Sequence, residues 1–171
     1  MITKVSVAIE RELRHCDAFY ISVAFITEGG LAPLKQVLAE LRDKGIPGKI
    51  LTTSYLTFTE SKALKTLADL SNVEVRVYNS TDEGASGFHT KGYIFKEEEI
   101  YRFIVGSSNM TASAFSVNKE WNTKLVSTSD GELLKQMMTE FNALWNSEHT
   151  LAVKDFIEDY EVRYKLDRKS V

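Results

Sequence analysis

The sequence has one cysteine, two prolines and no long uncharged apolar run among its 171 residues. A single cysteine, Cys16, cannot form a disulfide within the chain, which favours a reducing compartment such as the cytoplasm. No segment approaches the ~20 apolar residues that a membrane helix requires, and the charged residues after Met1 do not resemble a signal peptide. We therefore expect a cytoplasmic protein without a membrane span or lipid anchor.

The sequence also lacks an excess of positive charge, since its formal net charge is −3. It therefore has no global cationic field of the kind that many nucleic-acid-binding proteins use, but this net charge does not exclude a local cationic cleft. It lacks the clusters of His, Cys or carboxylate side chains that metal sites need. It also lacks a Gly-rich phosphate loop that ends in Lys-Ser or Lys-Thr. We therefore expect no metal and no other cofactor, and no ATPase within this chain.

The length and composition are those of one globular domain. The chain is 43% hydrophobic and 26% charged, and its length suits one hydrophobic core better than two. We interpret residues 1–171 as a single domain, with its core at about residues 18–147 and a C-terminal helical extension at 148–171. The polar end of the chain suggests a module of a longer protein.

The spacing of apolar residues predicts helices and strands in alternation. Helical spacing occurs at residues 2–13, 31–44, 60–70, 131–145 and 151–166. Runs that are typical of strands occur at residues 18–25, 49–53, 73–78, 88–95, 100–105 and 121–127. The charged residues 96–99 fit the turn of an antiparallel hairpin. This order predicts an α/β fold in which a mixed β-sheet lies between helical layers.

Of the three histidines, His89 has the most informative neighbours. His89 and Lys91 are two residues apart on a predicted strand, so their side chains share a face and can hold one phosphate. A neutral imidazole is a plausible nucleophile toward phosphorus if other groups stabilise the charge that develops on the phosphoryl oxygens. Glu120 is the best nearby acceptor in the sequence for the other ring N–H of His89.

The next predicted strand ends in Gly-Ser-Ser-Asn. Gly106 allows the backbone to approach a ligand closely. Ser107 and Asn109 offer hydrogen bonds to phosphoryl oxygens, and together with Lys91 they are suited to stabilise the developing negative charge. Each motif alone is common. Their order, with a later glutamate, is what indicates a phosphate site.

This order of His-x-Lys, Gly-Ser-x-Asn and a later acid, in residues 88–122, resembles the signature of the phospholipase D superfamily. Residues 22–28, 51–60 and 120–122 are also similar to the phospholipase D-like domain at the N-terminus of bacterial superfamily 2 helicases and some restriction-type enzymes. The similarity covers most of residues 18–147. One position departs from the family's fuller motif, which has an aspartate seven positions after the histidine, where this chain has Lys96. That departure argues against a lipid-cleaving member.

The resemblance implies that His89 forms a covalent phosphohistidine, that Lys91 binds the non-bridging oxygens and that Glu120 orients His89. The phosphate site is completed by residues after the second strand: Gly106, Ser107 and Asn109. The implied substrate is nucleic acid, DNA in preference to RNA, in a helicase or restriction system. The family combines two copies of the motif about a two-fold axis. With one copy in this chain, a homodimer with a shared active site is implied.

Two other functions stay open on the sequence. The chain could be a non-catalytic DNA-binding or dimerisation module that retains the phosphate pocket and docks DNA for a fused motor. A weaker alternative is phosphatidyl transfer. A helicase reading frame downstream would favour either DNA role over the lipid role.

Overall fold

The structure is a computed structural model that describes residues 4–54, 59–85, 91–111, 114–115 and 122–170, except for the side chains of Lys154 and Phe156. Its helices are α1 (Val5–Leu13), α2 (Glu28–Leu31), α3 (Lys35–Lys44), α4 (Ser61–Ala68), α5 (Glu132–Trp145) and α6 (Val153–Lys169). Its strands are β1 (Ala18–Ser22), β2 (Gly48–Thr53), β3 (Val73–Tyr78), β4 (Gly92–Glu97), β5 (Ile100–Gly106), β6 (Asn122–Thr128) and β7 (Thr150–Ala152). A 3-10 turn, Ala32–Leu34, joins α2 to α3.

The strands form one mixed sheet in the order β6-β5-β4-β1-β2-β3-β7. β1, β2 and β3 run parallel, whereas β4, β5 and β6 form an antiparallel meander beside β1, and β7 is antiparallel to β3. Several strand ends therefore lie along the same side of the sheet, which we call the carboxyl edge: Ser22, Thr53, Tyr78, Gly92, Gly106, Asn122 and Thr150. The other ends of these strands form the opposite edge.

Helices cover both faces of the sheet. The larger cluster of buried apolar side chains includes Leu13 of α1, Leu38 of α3, Leu64 of α4 and Tyr160 of α6, packed against one face. On the other face, the buried residues of α5 pack against the strands in two smaller clusters: Leu134, Phe141 and Trp145. The predicted fold class, a mixed sheet between helical layers, is confirmed.

The helix predicted at residues 31–44 is divided in the structure. Pro33 lies in the 3-10 turn between α2 and α3 and has no N–H to donate within a continuous α-helix. The end of the helix predicted at residue 44 is confirmed, because the next residue, Gly45, has a φ of 69°, in the left-handed region that glycine adopts readily.

Three predicted elements have different bounds in the structure. The strand predicted at residues 88–95 is Gly92–Glu97 among the described residues, so Lys91 precedes the strand instead of lying on it. The strand predicted at residues 18–25 ends at Ser22, because the backbone amides of Ala24 and Phe25 donate to the side chain of Asn109 instead of a neighbouring strand. The helix predicted at residues 151–166 begins at Val153, after the short strand β7 that pairs with β3. Among the described residues, no helix combines the length and the apolar character needed to cross a membrane.

Candidate active site

The carboxyl edge brings together the two segments that carry the predicted phosphate-binding residues. Lys91 directly precedes β4, and its carbonyl accepts a hydrogen bond of 3.4 Å from the amide of Gly106, the last residue of β5. Gly106 in turn pairs with Asn122, the first residue of β6. Three neighbouring strands therefore place Lys91, Gly106 and Asn122 side by side.

The predicted nucleophile His89 and its predicted partner Glu120 lie outside the described residues. His89 is two positions before Lys91, which adjoins the carboxyl-edge residue Gly92, and Glu120 is two positions before Asn122 of the same edge. Their roles stay predictions from the sequence.

The loop after β5 is anchored through Ser108 rather than Ser107. Ser108 is 1% exposed, its hydroxyl accepts a hydrogen bond of 2.8 Å from the Asn122 amide nitrogen, and its carbonyl accepts one of 3.0 Å from the Tyr93 hydroxyl. Burial raises the pKa of Tyr93, so its hydroxyl keeps its proton and stays a donor. Ser107 is exposed, on the solvent side of a fixed loop.

Asn109 has a structural contact that the sequence pattern did not predict. Its side-chain oxygen accepts hydrogen bonds from the backbone amides of Ala24 at 3.0 Å and Phe25 at 3.2 Å. In both bonds the backbone supplies the N–H donor, so the Asn109 atom that accepts them is the amide oxygen. This assignment also determines the direction of the amide nitrogen. The group that Asn109 can offer to a phosphate is therefore its NH₂ donor.

The backbone beside Asn109 is joined to the segment after β1. The amide of Met110 donates to the carbonyl of Phe25 at 3.1 Å, and the amide of Thr27 donates to the carbonyl of Met110 at 3.0 Å. Gly30 lies against this join, where a Cβ atom would be only 2.1 Å from the Met110 carbonyl oxygen. The loop after β5 is therefore held from both sides, by β6 and by the segment after β1.

Sequence reasoning did not assign a role to Asn122. Its amide nitrogen binds Ser108, while its amide oxygen is buried and has no hydrogen-bond partner among the described residues. A buried acceptor without a donor is costly, and an ammonium or an imidazole N–H is a donor of the kind that would satisfy it. The sequence feature that could have indicated this role is a polar residue, Asn122, at the start of β6. It pairs with Gly106 of β5.

The charges along the carboxyl edge differ between its two ends. Lys91 is half-buried, and no acidic side chain of the described residues forms an ion pair with it. Near β3 and β7, four strand spacings or about 19 Å away, the imidazole of His149 lies 3.2 Å from the Asp82 carboxylate and near Glu148. An anion is therefore favoured near Lys91 and disfavoured near β7.

Comparison with known families identifies the family to which the chain belongs. Residues 15–145, well over half of the chain, match the family described as "Cardiolipin synthase, PLD-like domain". The chain belongs to this phospholipase D-like family. The superfamily predicted from the sequence is thereby confirmed. No curated protein matches the chain significantly.

Solved structures with the same fold include two enzymes. Phosphatidylserine synthase from Haemophilus influenzae Rd KW20 aligns with a TM-score of 0.60 at 15% identity, over 97% of this chain and 44% of its own. Polyphosphate kinase from Porphyromonas gingivalis aligns with a TM-score of 0.62 at 8% identity, over 86% of this chain and 22% of its own. This chain thus spans less than half the length of either protein.

The position where the family's fuller motif has an aspartate lies away from the carboxyl edge. Lys96 is five residues along β4 from Lys91, roughly 16 Å. It pairs with Ala18 of β1 and Tyr101 of β5, and its ammonium lies 6.0 Å from the centre of the Tyr101 ring. The replacement of aspartate by lysine therefore changes the opposite end of β4 and removes no group from the candidate site.

The described residues of the phospholipase D-like domain suit binding of a phosphodiester. Superfamily members act on phosphodiesters, and this chain presents a cation at Lys91 and an amide donor at Asn109 on fixed backbone. Within the described ranges there is no cluster of three side chains that could ligate a metal ion. The three consecutive glutamates of the β4–β5 connection have roles other than metal binding. Glu97 forms an ion pair with Arg102, and Glu98 and Glu99 are exposed.

Proposed function

We propose that this phospholipase D-like domain is a metal-independent phosphodiesterase that cleaves nucleic acid, DNA in preference to RNA, through a phosphohistidine at His89. The observation that carries the proposal is the meeting of Lys91, the Gly106–Asn109 loop and Asn122 at one edge of the sheet. The His89 and Glu120 segments join these residues directly in sequence. Family membership supports the phosphodiester chemistry, and the resemblance of residues 22–28, 51–60 and 120–122 to helicase-associated domains supports the nucleic-acid substrate.

The proposed reaction has two displacement steps at phosphorus. In the first, a neutral ring nitrogen of His89 forms a bond to phosphorus, and the bond to the leaving nucleoside oxygen breaks. Lys91, the Ser107 hydroxyl and the Asn109 amide nitrogen stabilise the negative charge on the non-bridging oxygens. In the second, water gives a proton to the group that protonated the leaving oxygen, its oxygen bonds to phosphorus and the phosphorus–nitrogen bond breaks, which frees His89.

The leaving oxygen needs a proton donor on the side of phosphorus opposite to His89. This chain has one His-x-Lys motif, so we propose that the donor is His89 of a second copy of the chain. A two-fold axis beside the carboxyl edge would place two Lys91 side chains and two Gly106–Asn109 loops around one phosphate. The paired ammonium groups would form a cationic cleft despite the net charge of −3.

Phosphatidyl transfer is the second candidate, because the matched family is described by cardiolipin synthase and one structural neighbour is a phosphatidylserine synthase. Both candidates use a phosphodiester and the same nucleophile, so they differ in substrate. A non-catalytic module that docks DNA for a fused helicase differs from both, since its function would not require His89 as a nucleophile.

Cleavage assays with the whole chain separate these candidates. Plasmid, single-stranded and duplex oligonucleotides, and phosphatidylglycerol vesicles are each incubated with the parent and with His89→Ala in excess chelator. We expect nucleic-acid cleavage by the parent with chelator present, and none by a folded His89→Ala chain. Equal cleavage by both chains would reject the mechanism, and strict dependence on magnesium would reject metal independence. Conversion of lipid alone would establish phosphatidyl transfer, and DNA binding without cleavage would establish the module.

The shared site is tested by mixing chains. The parent and His89→Ala are combined in equal amounts, allowed to exchange, and assayed beside sedimentation at micromolar concentration. The reference is the parent alone at the same total chain concentration. If both copies of His89 serve one site, the mixture should have about one quarter of that activity, because parent homodimers are about one quarter of a random mixture. A fall to half, or a strictly monomeric species that is active, would reject the shared site.

A further inference from the structure

Thr59 connects the segment after β1 to the loop after β2. It is fully buried, and its hydroxyl accepts a hydrogen bond of 3.3 Å from the amide of Ile26 and donates one of 3.4 Å to the carbonyl of Ala24. The Glu60 amide donates to the Ile26 carbonyl at 2.9 Å. Residues 24–26 are therefore held by the Thr59–Glu60 segment on the side away from Asn109.

The C-terminal helix α6 reaches the same residue. The hydroxyl of Tyr160, 101 positions further along the chain, donates to the carbonyl of Thr59. Tyr160 is fully buried, and burial raises the pKa of its hydroxyl, so that the group stays protonated and remains a donor over the neutral range. The contact belongs to the extension to which the sequence assigned no function.

On their other side, residues 24–26 contact Asn109 of the candidate phosphate site. The amides of Ala24 and Phe25 hold the side-chain oxygen of Asn109, which determines the direction of its amide nitrogen. A continuous series of hydrogen bonds and short backbone segments therefore runs from Tyr160 through Thr59 and Ala24 to Asn109. Every member of the series is a described residue.

We propose that Tyr160 is a positioning residue, whose hydroxyl fixes the Thr59 loop and, through residues 24–26, the amide nitrogen of Asn109 at the phosphate site. The proposal rests on the proposed function for its catalytic consequence, but not for its structural one. The Thr52 hydroxyl also donates to the Ala24 carbonyl, at 3.2 Å. Loss of the Tyr160 hydroxyl is therefore expected to loosen the segment rather than release it.

The structural part is tested by nuclear magnetic resonance on the whole chain with ¹⁵N-labelled Ala, Phe and Asn. The variant is Tyr160→Phe, which removes one hydroxyl and retains the buried ring. We expect the backbone amides of Ala24 and Phe25 and the side-chain amide of Asn109 to shift, and the two backbone amides to exchange with solvent about tenfold faster.

The matched control is Tyr164→Phe. Tyr164 lies one turn later on α6, its ring centre is 6.2 Å from that of Tyr160, and its hydroxyl forms no hydrogen bond within the described parts of the chain. This variant should leave all three signals at their parent positions. If Tyr160→Phe also leaves them unchanged, or if both variants shift them equally, the positioning role is wrong.

The catalytic part is tested with bis(4-nitrophenyl) phosphate and with the cleaved oligonucleotide. We expect Tyr160→Phe to lower kcat about tenfold with KM within about twofold of the parent, because the nucleophile and Lys91 are untouched. Thr59→Val should have a similar effect, whereas Thr59→Ser, which keeps the hydroxyl, should turn over at the parent rate. The double variant Tyr160→Phe/Thr59→Val should be little worse than either single variant.

The outcomes separate this inference from the proposed function. If the parent cleaves none of the substrates but Tyr160→Phe shifts the Asn109 signal, the proposed function fails and the positioning role stands. If the parent is active and Tyr160→Phe turns over at the parent rate, the catalytic consequence is wrong. Should Tyr160→Phe not fold, the comparison of Thr59→Val with Thr59→Ser gives the same spectral and kinetic readouts.

Discussion

The two edges of the sheet are built from different kinds of contact. Of the eight buried polar or charged side chains among the described residues, six lie at or next to the carboxyl edge: Ser22, Thr52, Thr53, Ser54, Thr59 and Ser108. The other two, Ser6 and Glu12, belong to α1. At the opposite edge, the backbone of Gly48 lies against the apolar Phe19 ring. Because burial of a polar group is costly unless it is hydrogen-bonded, the concentration of such groups at one edge marks where positioning is required.

The difference separates contacts that hold the sheet together from contacts that hold the site. Apolar packing depends on volume and tolerates small shifts, whereas a hydrogen-bonded loop depends on individual donors and acceptors. Substitutions in the packing should therefore change stability alone. Substitutions at the carboxyl edge should change activity with a smaller change in stability.

The largest effect on stability is expected for Trp145→Ala. Trp145 is 3% exposed, and its ring stacks on Phe141 with ring centres 5.5 Å apart. The side chains of Arg76 and Lys49 lie over the same ring, at 4.5 and 5.3 Å from its centre. Its removal should lower the free energy of unfolding by about 3–5 kcal/mol, measured by urea titration. At temperatures where the variant is folded, kcat should stay near the parent value. Lost activity in the folded variant would contradict the distinction between contacts that determine stability and contacts that determine activity.

Two substitutions of Asn109 distinguish its acceptor from its donor. Asn109→Asp keeps an oxygen for the amides of Ala24 and Phe25 but offers no N–H, and it adds a negative charge beside the phosphate. It should lower kcat by about 10²–10³-fold with little loss of stability. Asn109→Leu leaves two backbone donors unpaired and should also destabilise the chain by about 1–3 kcal/mol. Parent-like turnover by Asn109→Asp would show that Asn109 does not contact phosphate.

A matched pair of glycines tests the two edges directly. In Gly30→Ala the new Cβ meets the backbone of Met110 at 2.1 Å, and in Gly48→Ala it meets the Phe19 ring at 2.1 Å. Each should cost about 1–3 kcal/mol through overpacking. Only Gly30→Ala should also lower kcat, because the displaced backbone adjoins Asn109. Equal losses of kcat in the two folded variants would contradict the comparison.

Near neutral pH, Cys16 gives the smallest effect, because its contribution changes only in alkali. Its thiol is 6% exposed beside α1 and the start of β1, and burial raises its pKa to about 12. A raised folded-state pKa stabilises the fold below the unfolded value of about 8.5 and is lost as the pH rises toward 12. Above about pH 9, the parent should therefore lose stability faster than Cys16→Ala, by at most about 1.4 kcal/mol per pH unit. Identical slopes would place the thiol in contact with solvent.

Local patterns predicted most of the fold. The alternation of elements, the β4–β5 hairpin and the strand at residues 73–78 depend on apolar periodicity and turn residues close in sequence, and all three are found. The three-residue strand β7 was missed, because its extended form depends on pairing with β3 rather than on its own residues. The division at Pro33 was missed because the helical spacing continues across it.

The sequence motifs name the residues that we propose for the site, but they do not predict the contacts of those residues. The motif spacing led to Lys91 and Gly106, which the structure places side by side. It could not separate Ser107 from Ser108, or reveal Asn122 as an anchor, because these differences depend on the register of β5 against β6. His89 and Glu120 stay predictions that the proposed assays test.

The position of β1 between the parallel strands and the antiparallel meander has a consequence for folding. The pairing of β1 with β4 joins Ala18 to Lys96, residues far apart in sequence, whereas the meander is held by local hairpin contacts. Contacts that close a long loop carry a larger entropic cost and tend to form late. Because the Asn109 side chain binds across this join to Ala24 and Phe25, detachment of the meander would disassemble the phosphate site while the parallel strands stayed paired. Availability of the site would then be set by a sub-global opening equilibrium and not by the global free energy of unfolding.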